Sequence, residues 1–226
     1  MLVRGCLIVL LILIGSLEAS ARAKDPRVPP GTDPGGVALA LISTGIDYTL
    51  PEIARRLARD GEGQLIGRDF ADDDALPYAP TAGDQPWSGT GLATSILAEA
   101  PAARLIPVRI DPQQPISVAN ALAFVARTPA RIVLVAPVDV SDDRELLRRS
   151  VQAARNLLII VPATGALAEL DNVLTIESYD GGDDSKLRFH SDAGLRAIGI
   201  AAELAANDAN LDGAGLKRAV LARLAK

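Results

Sequence analysis

The chain has 226 residues, 23 Lys and Arg against 28 Asp and Glu, a formal net charge of −5, and 49% hydrophobic residues. That hydrophobic content excludes intrinsic disorder, and an acidic balance without a basic cluster argues against nucleic-acid binding. One cysteine, Cys6, and one histidine, His190, confine thiol and imidazole chemistry to two positions.

Residues 1–23 read as a secretory signal. Arg4 precedes a mostly aliphatic run from Cys6 to Gly15, and Ala21-Arg22-Ala23 offers small residues at a cleavable spacing. The run is shorter than the roughly 20 residues that span a bilayer. Cleavage after Ala23 removes Cys6 and leaves about 200 residues, a size that suits one domain with its own core.

Residues 24–36 hold four prolines and three glycines and predict an extended lead-in. The domain proper, 37–226, then alternates. Val37–Ile42 is an apolar run of strand length. Leu50–Asp60 has helical spacing, with Thr49 and Glu52 placed as a capping box and Pro51 in the first turn. Gly91–Ala100 predicts a small-residue helix, Arg104–Ile110 a strand, Ser117–Arg127 a helix and Arg131–Val135 a buried strand. A helix opens near Asp142 and Glu145 and runs to about Arg155. Leu157–Val161 and Asn172–Ile176 are strands, and Ala193–Ala206 and Gly213–Ala225 are closing helices. Short aliphatic strands separated by helices predict an α/β fold, with a mostly parallel sheet covered by helices on both faces.

Several stretches, in order, resemble blocks of the subtilases, the subtilisin-like serine peptidases. Val37 to Ile53 (VALALISTGIDYTLPEI) is similar to the family's V-A-V-[IL]-D-[ST]-G-I-D block and its H-P-[DE]-[LI] continuation. Asp69 to Asp74 (DFADDD) resembles D-F-x-D-x-D. Ser88 to Ile96 (SGTGLATSI) stands where the family has H-G-T-H-V-A-[GS]-I-I, and Ala100 to Arg109 is similar to A-P-x-A-x-[LI]-x-x-V-[RK]. Gly199 to Leu204, Ala209 to Leu211 and Leu216-Lys217 resemble the C-terminal blocks. The resemblance implies a three-layer subtilisin-like fold, shortened near the C-terminus, where only Glu177 to Phe189 joins the last strand to the serine block.

A serine peptidase needs a nucleophilic hydroxyl, an imidazole base, an orienting carboxylate and oxyanion donors, which subtilases supply in the order Asp, His, Ser. On this resemblance the aspartate position is Ser43 and the histidine position is Ser88. The oxyanion stretch is Ala163-Thr164-Gly165-Ala166, with apolar Ala166 as the donor position. The backbone-binding segment is Ala136-Pro137-Val138, where Pro137 has no N–H. Counting back from Gly199 puts Ser191 at the nucleophile position, after His190; Ser191 also suits the N-cap of the following helix. In subtilisin, losing the serine or the histidine costs about 2 × 10⁶ in kcat.

The expectation is therefore an exported, secreted or periplasmic domain that is catalytically inactive and binds a peptide or protein in the old cleft. It includes no nucleic-acid partner and no membrane contact after signal cleavage. The alternative is a serine endopeptidase or esterase using Ser191, and a third reading is a decayed relative without selected activity. Asp72-Asp73-Asp74 and Asp180 to Asp184 offer oxygen atoms for structural calcium, but neither has the spacing of a defined calcium loop, so no cofactor is expected. Trp87, the only tryptophan, either caps the cleft or anchors a partner.

Overall fold

The computed structural model describes residues 25–79, 88–136, 144–162, 167, 169–176 and 192–225. In chain order these form β1 (Val37–Ser43), α1 (Pro51–Ala54), β2 (Arg68–Asp69), α2 (Gly89–Glu99), β3 (Ala103–Arg109), α3 (Pro115–Val125), β4 (Ala130–Val135), α4 (Arg144–Ala153), β5 (Leu158–Pro162), β6 (Val173–Ile176), α5 (Asp192–Asn207) and α6 (Gly213–Leu224). The six strands make one sheet in the order β2-β3-β1-β4-β5-β6, and every pairing is parallel.

All seven residues of β1 are buried, as an apolar run between two helical layers requires. The pleat divides them. Val37, Leu39 and Leu41 pack with residues of α2, α5 and α6, whereas Ala38, Ala40 and Ile42 pack with residues of α3 and α4. The result is a three-layer α/β domain in which each fully buried leucine or isoleucine contributes about 1.5–3 kcal/mol of transfer free energy.

Two polar side chains tie the layers of this framework together. Asn172 is 5% exposed, and its side-chain amide donates to the carbonyls of Val151, Ala154 and Leu157 (3.4, 3.2 and 3.1 Å), closing the end of α4 onto β5. Arg131, at the start of β4, donates to the carbonyls of Ala205, Asp208 and Leu211 beyond the last turn of α5. The C-terminal end of α5 therefore lies at the N-terminal end of β4.

The helix expected over Leu50–Asp60 is a single turn, Pro51–Ala54. Its N-cap is Leu50, without a side-chain cap, because the Thr49 N–H and hydroxyl both go to Asp47 Oδ1 (2.9 and 2.5 Å). Beyond Ala54 the backbone pairs with β3 instead, with Leu105 N donating to Arg56 O (2.7 Å) and Ala58 N to Leu105 O (2.8 Å). Tertiary pairing to a buried strand overrides helical periodicity here.

The lead-in forms no helix or strand over 25–35, and it is tied down. The Tyr48 hydroxyl donates to Pro26 O (2.7 Å) and Arg59 Nη2 to Pro29 O (2.6 Å). Asp33 accepts from Arg59 N (2.8 Å) and Gly35 N (2.7 Å) and pairs with Arg104 (2.5 Å). Burial pushes the Asp33 carboxyl up, but those N–H groups and the Arg104 guanidinium outweigh it and hold the pKa below the ordinary value.

Candidate functional site

In open parallel sheets the ligand crevice lies at the carboxyl ends of the strands, where connections leave adjacent strands in opposite directions. Here that place is between β1 and β4. The chain leaves β1 toward β2 and leaves β4 toward β5. Ser43 ends β1, and its backbone continues the ladder on both sides. Ile110 N donates to Ser43 O (2.8 Å), and Ala136 N, just past β4, donates to Ile42 O (2.8 Å).

Ser43 and the start of α2, which follows Ser88, come together at this end of the sheet. Ser88 caps α2, and a β-carbon added at the next residue, Gly89, would lie 2.1 Å from Gly45 O and 2.5 Å from Ser43 Oγ. Only glycine lets the first turn of α2 approach this closely. Gly45 is itself at φ +108°, a left-handed conformation that side chains avoid. Across the junction Asp47 N donates to Thr90 Oγ1 (2.8 Å), which ties the loop after β1 to the start of α2.

The two hydroxyls are engaged by their own neighbourhoods. Ser43 Oγ accepts from Gly45 N (3.2 Å), and Ser88 Oγ accepts from Gly91 N (3.0 Å), an ordinary serine N-cap. Neither can take up a proton near neutral pH in the way an imidazole does. The positive end of the α2 dipole faces Ser43, a setting that suits a negative group at that position.

Beside this junction lies a charged group that the sequence blocks did not single out as a unit. Arg109, at the end of β3, pairs through Nη1 with Asp69 (2.8 Å) and Asp72 (2.5 Å), and Asp69 is fully buried. Burial alone lowers the Arg109 pKa, but the two carboxylates more than reverse this and raise it. The acidic triplet separates rather than converging. Asp72 goes to Arg109, Asp73 to Arg68, and Asp74 accepts from Leu76 N (2.7 Å). The carboxylates that do approach one another are those of Asp25, Asp69 and Asp72, each with an oxygen within 4.8 Å of the others. This group holds Arg109 as its counter-charge. Asp25 has a raised pKa, through burial first and then through Asp74, Asp72 and Asp69, against the opposing effect of Arg109. The alternation of D-F-x-D-x-D with a strand-terminal arginine was the available signal for this cluster, but the pairing needs β2 and β3 side by side.

Ser191, His190, Trp87, Pro137 and Val138, residues 163–166 and Asp180 to Asp184 lie outside the described residues. Of Ala136-Pro137-Val138, Ala136 is described and is 6% exposed. The helix that follows Ser191 is described. Gly199 of α5 packs on the carbonyl of Glu99, at the end of α2, and the C-terminus of α5 lies at the start of β4. Its N-terminus, beginning at Asp192, therefore points toward the end of the sheet that carries Ser43 and Ser88.

No family model matches this chain, and no curated protein matches it. A solved structure described as a cold adapted subtilisin-like serine proteinase aligns with 86% of this chain and 84% of its own, at 16% identity and a TM-score of 0.49. No described helix is long and apolar enough to cross a membrane.

Proposed function

We propose that this chain is an exported subtilisin-like domain that binds a peptide or protein segment at the carboxyl end of its sheet without cleaving it. The observation that carries the reading is the close approach of Ser43 to Gly89, the residue after Ser88. Two positions that the block resemblance assigns to the aspartate and the histidine of a triad stand at the switch point, and both are hydroxyls. A serine without a neighbouring base is a poor nucleophile at neutral pH. What such a site retains is the backbone of the strand ends and of the loop after β1, which suits binding rather than acyl transfer.

A second reading, a serine endopeptidase or esterase with Ser191 as nucleophile, draws support from the direction of α5, whose N-terminal end points toward the same end of the sheet. Treatment of the purified chain and of Ser191→Ala with a serine-directed fluorophosphonate separates the two. The binding reading expects no covalent labelling of either folded protein. Labelling of the native chain that Ser191→Ala abolishes would refute it and establish an activated serine.

A further inference from the structure

We propose that the outward face of α6 docks the protein onto an anionic lipid surface. Residues 213–225 consist of Gly, Ala, Leu, Val, Lys and Arg alone, with no acidic and no neutral polar side chain. Gly213, Leu216 and Val220 are buried and fix the inward side, while Gly215 is covered by Leu211 and Asp212 of the preceding loop. At 100° per residue, Ala214, Arg218, Leu221, Ala222 and Ala225 fall opposite, with Lys217 and Leu224 at the margin. Among the described residues three large hydrophobic side chains are exposed, and two of them are here, Leu221 at 46% and Leu224 at 37%. An exposed helix face is ordinarily polar. This one is alkyl and cationic.

Part of its charge is engaged within the chain, Lys217 Nζ donating to Leu170 O (2.9 Å). Arg218 is exposed and makes no ion pair among the described residues. Two adjoining carboxylates are already engaged, Asp212 as the N-cap of α6 through Gly215 N (2.7 Å) and Glu203 with Arg223 (3.3 Å). The exposed Arg155, whose carbonyl accepts from Gly213 N (3.2 Å), adds a cation at the foot of the helix.

A protein partner is recognised in large part through directional hydrogen bonds and packed pockets. This face supplies few donors and no pocket. Alkyl groups that enter among headgroups and cations that meet their phosphates are what a helix lying in the membrane interface uses. The chain as a whole is acidic, and this acid-free stretch stands out from it.

The full chain, Arg218→Glu, and Leu221→Ser combined with Leu224→Ser are sedimented with phosphatidylcholine vesicles, with and without phosphatidylglycerol, at low and high salt. All altered positions are exposed, so the fold is retained, and the apolar run at residues 6–15 contributes equally to every variant. Each cation near an anionic surface is worth roughly fivefold in partitioning, so Arg218→Glu is expected to lose about 25-fold on phosphatidylglycerol vesicles. The leucine pair loses about tenfold. Equal pelleting of variants and native chain, or no preference for the anionic vesicles, overturns the proposal. So does a dimer in sedimentation velocity that the leucine substitutions dissolve, which would place a second copy on this face.

Discussion

Gly89→Ala probes the junction on which the candidate site rests. The added β-carbon would sit 2.1 Å from Gly45 O, 2.5 Å from Ser43 Oγ and 3.0 Å from Gly45 C. Two of these atoms are backbone, in a loop held by Ile46 N to Pro77 O (3.1 Å) and Ala79 N to Ile46 O (3.2 Å), so the overlap cannot be relieved by turning a side chain. A separation of at least about 3 Å is needed, which forces α2 or the loop to move by nearly 1 Å. Overpacking of this kind costs about 1–3 kcal/mol, and helix propensity returns at most about 1 kcal/mol. The expected net destabilisation is about 2 kcal/mol. With a urea dependence of about 2 kcal/mol per molar, the unfolding midpoint drops by about 1 M. Gly61→Ala is the control, since nothing lies within 4 Å of its β-carbon and its φ is not left-handed. It should be neutral or stabilising by about 0.4–1 kcal/mol. Indistinguishable midpoints for the two variants would mean that α2 does not abut Ser43 and Gly45, and the junction proposed as the site would fall with it.

Four further outcomes are expected. Ser88→Ala removes the α2 N-cap and should cost about 1 kcal/mol, more than Ser43→Ala, whose hydroxyl accepts a single longer bond; equal midpoints would contradict the cap. Combining Ser43→Asp with Ser88→His should raise the pKa of the introduced imidazole above its value in Ser88→His alone, followed by NMR titration, and matching values would place the positions too far apart. Asn172→Leu leaves buried carbonyls without their donor and should cost about 2–3 kcal/mol in chemical denaturation. Asp33 has a folded-state pKa below its unfolded value, so its stabilisation is complete above the unfolded pKa, near pH 4, and fades as pH falls through the folded pKa. Asp33→Asn should therefore lower the midpoint at pH 7 and flatten the stability profile below pH 4, and an unchanged profile would show that Asp33 does not titrate against its partners.

Much of the architecture was legible because burial on two faces writes itself into composition. The runs at Val37–Ile42, Arg131–Val135 and Leu157–Val161 are too apolar for any exposed setting, and helical spacing between strands leaves parallel pairing as the economical arrangement. The exceptions are physical. The two-residue β2 is too short to show a pattern and exists because β3 has a free edge beside it. The stretch after Ala54 has helical spacing yet spends its backbone groups on Leu105, a partner nearly 50 residues away.

The sequence alone determined the layer architecture and the order of strands and helices along the chain. Those are local facts, set by side-chain type and period. The tertiary structure decided which distant positions meet. It brought the end of β1 against the start of α2, gave Arg109 its two carboxylates, and turned the alkyl and cationic residues of α6 outward. Contacts of that kind depend on the strand order and on close approaches permitted by single glycines, and no periodicity in the chain encodes either.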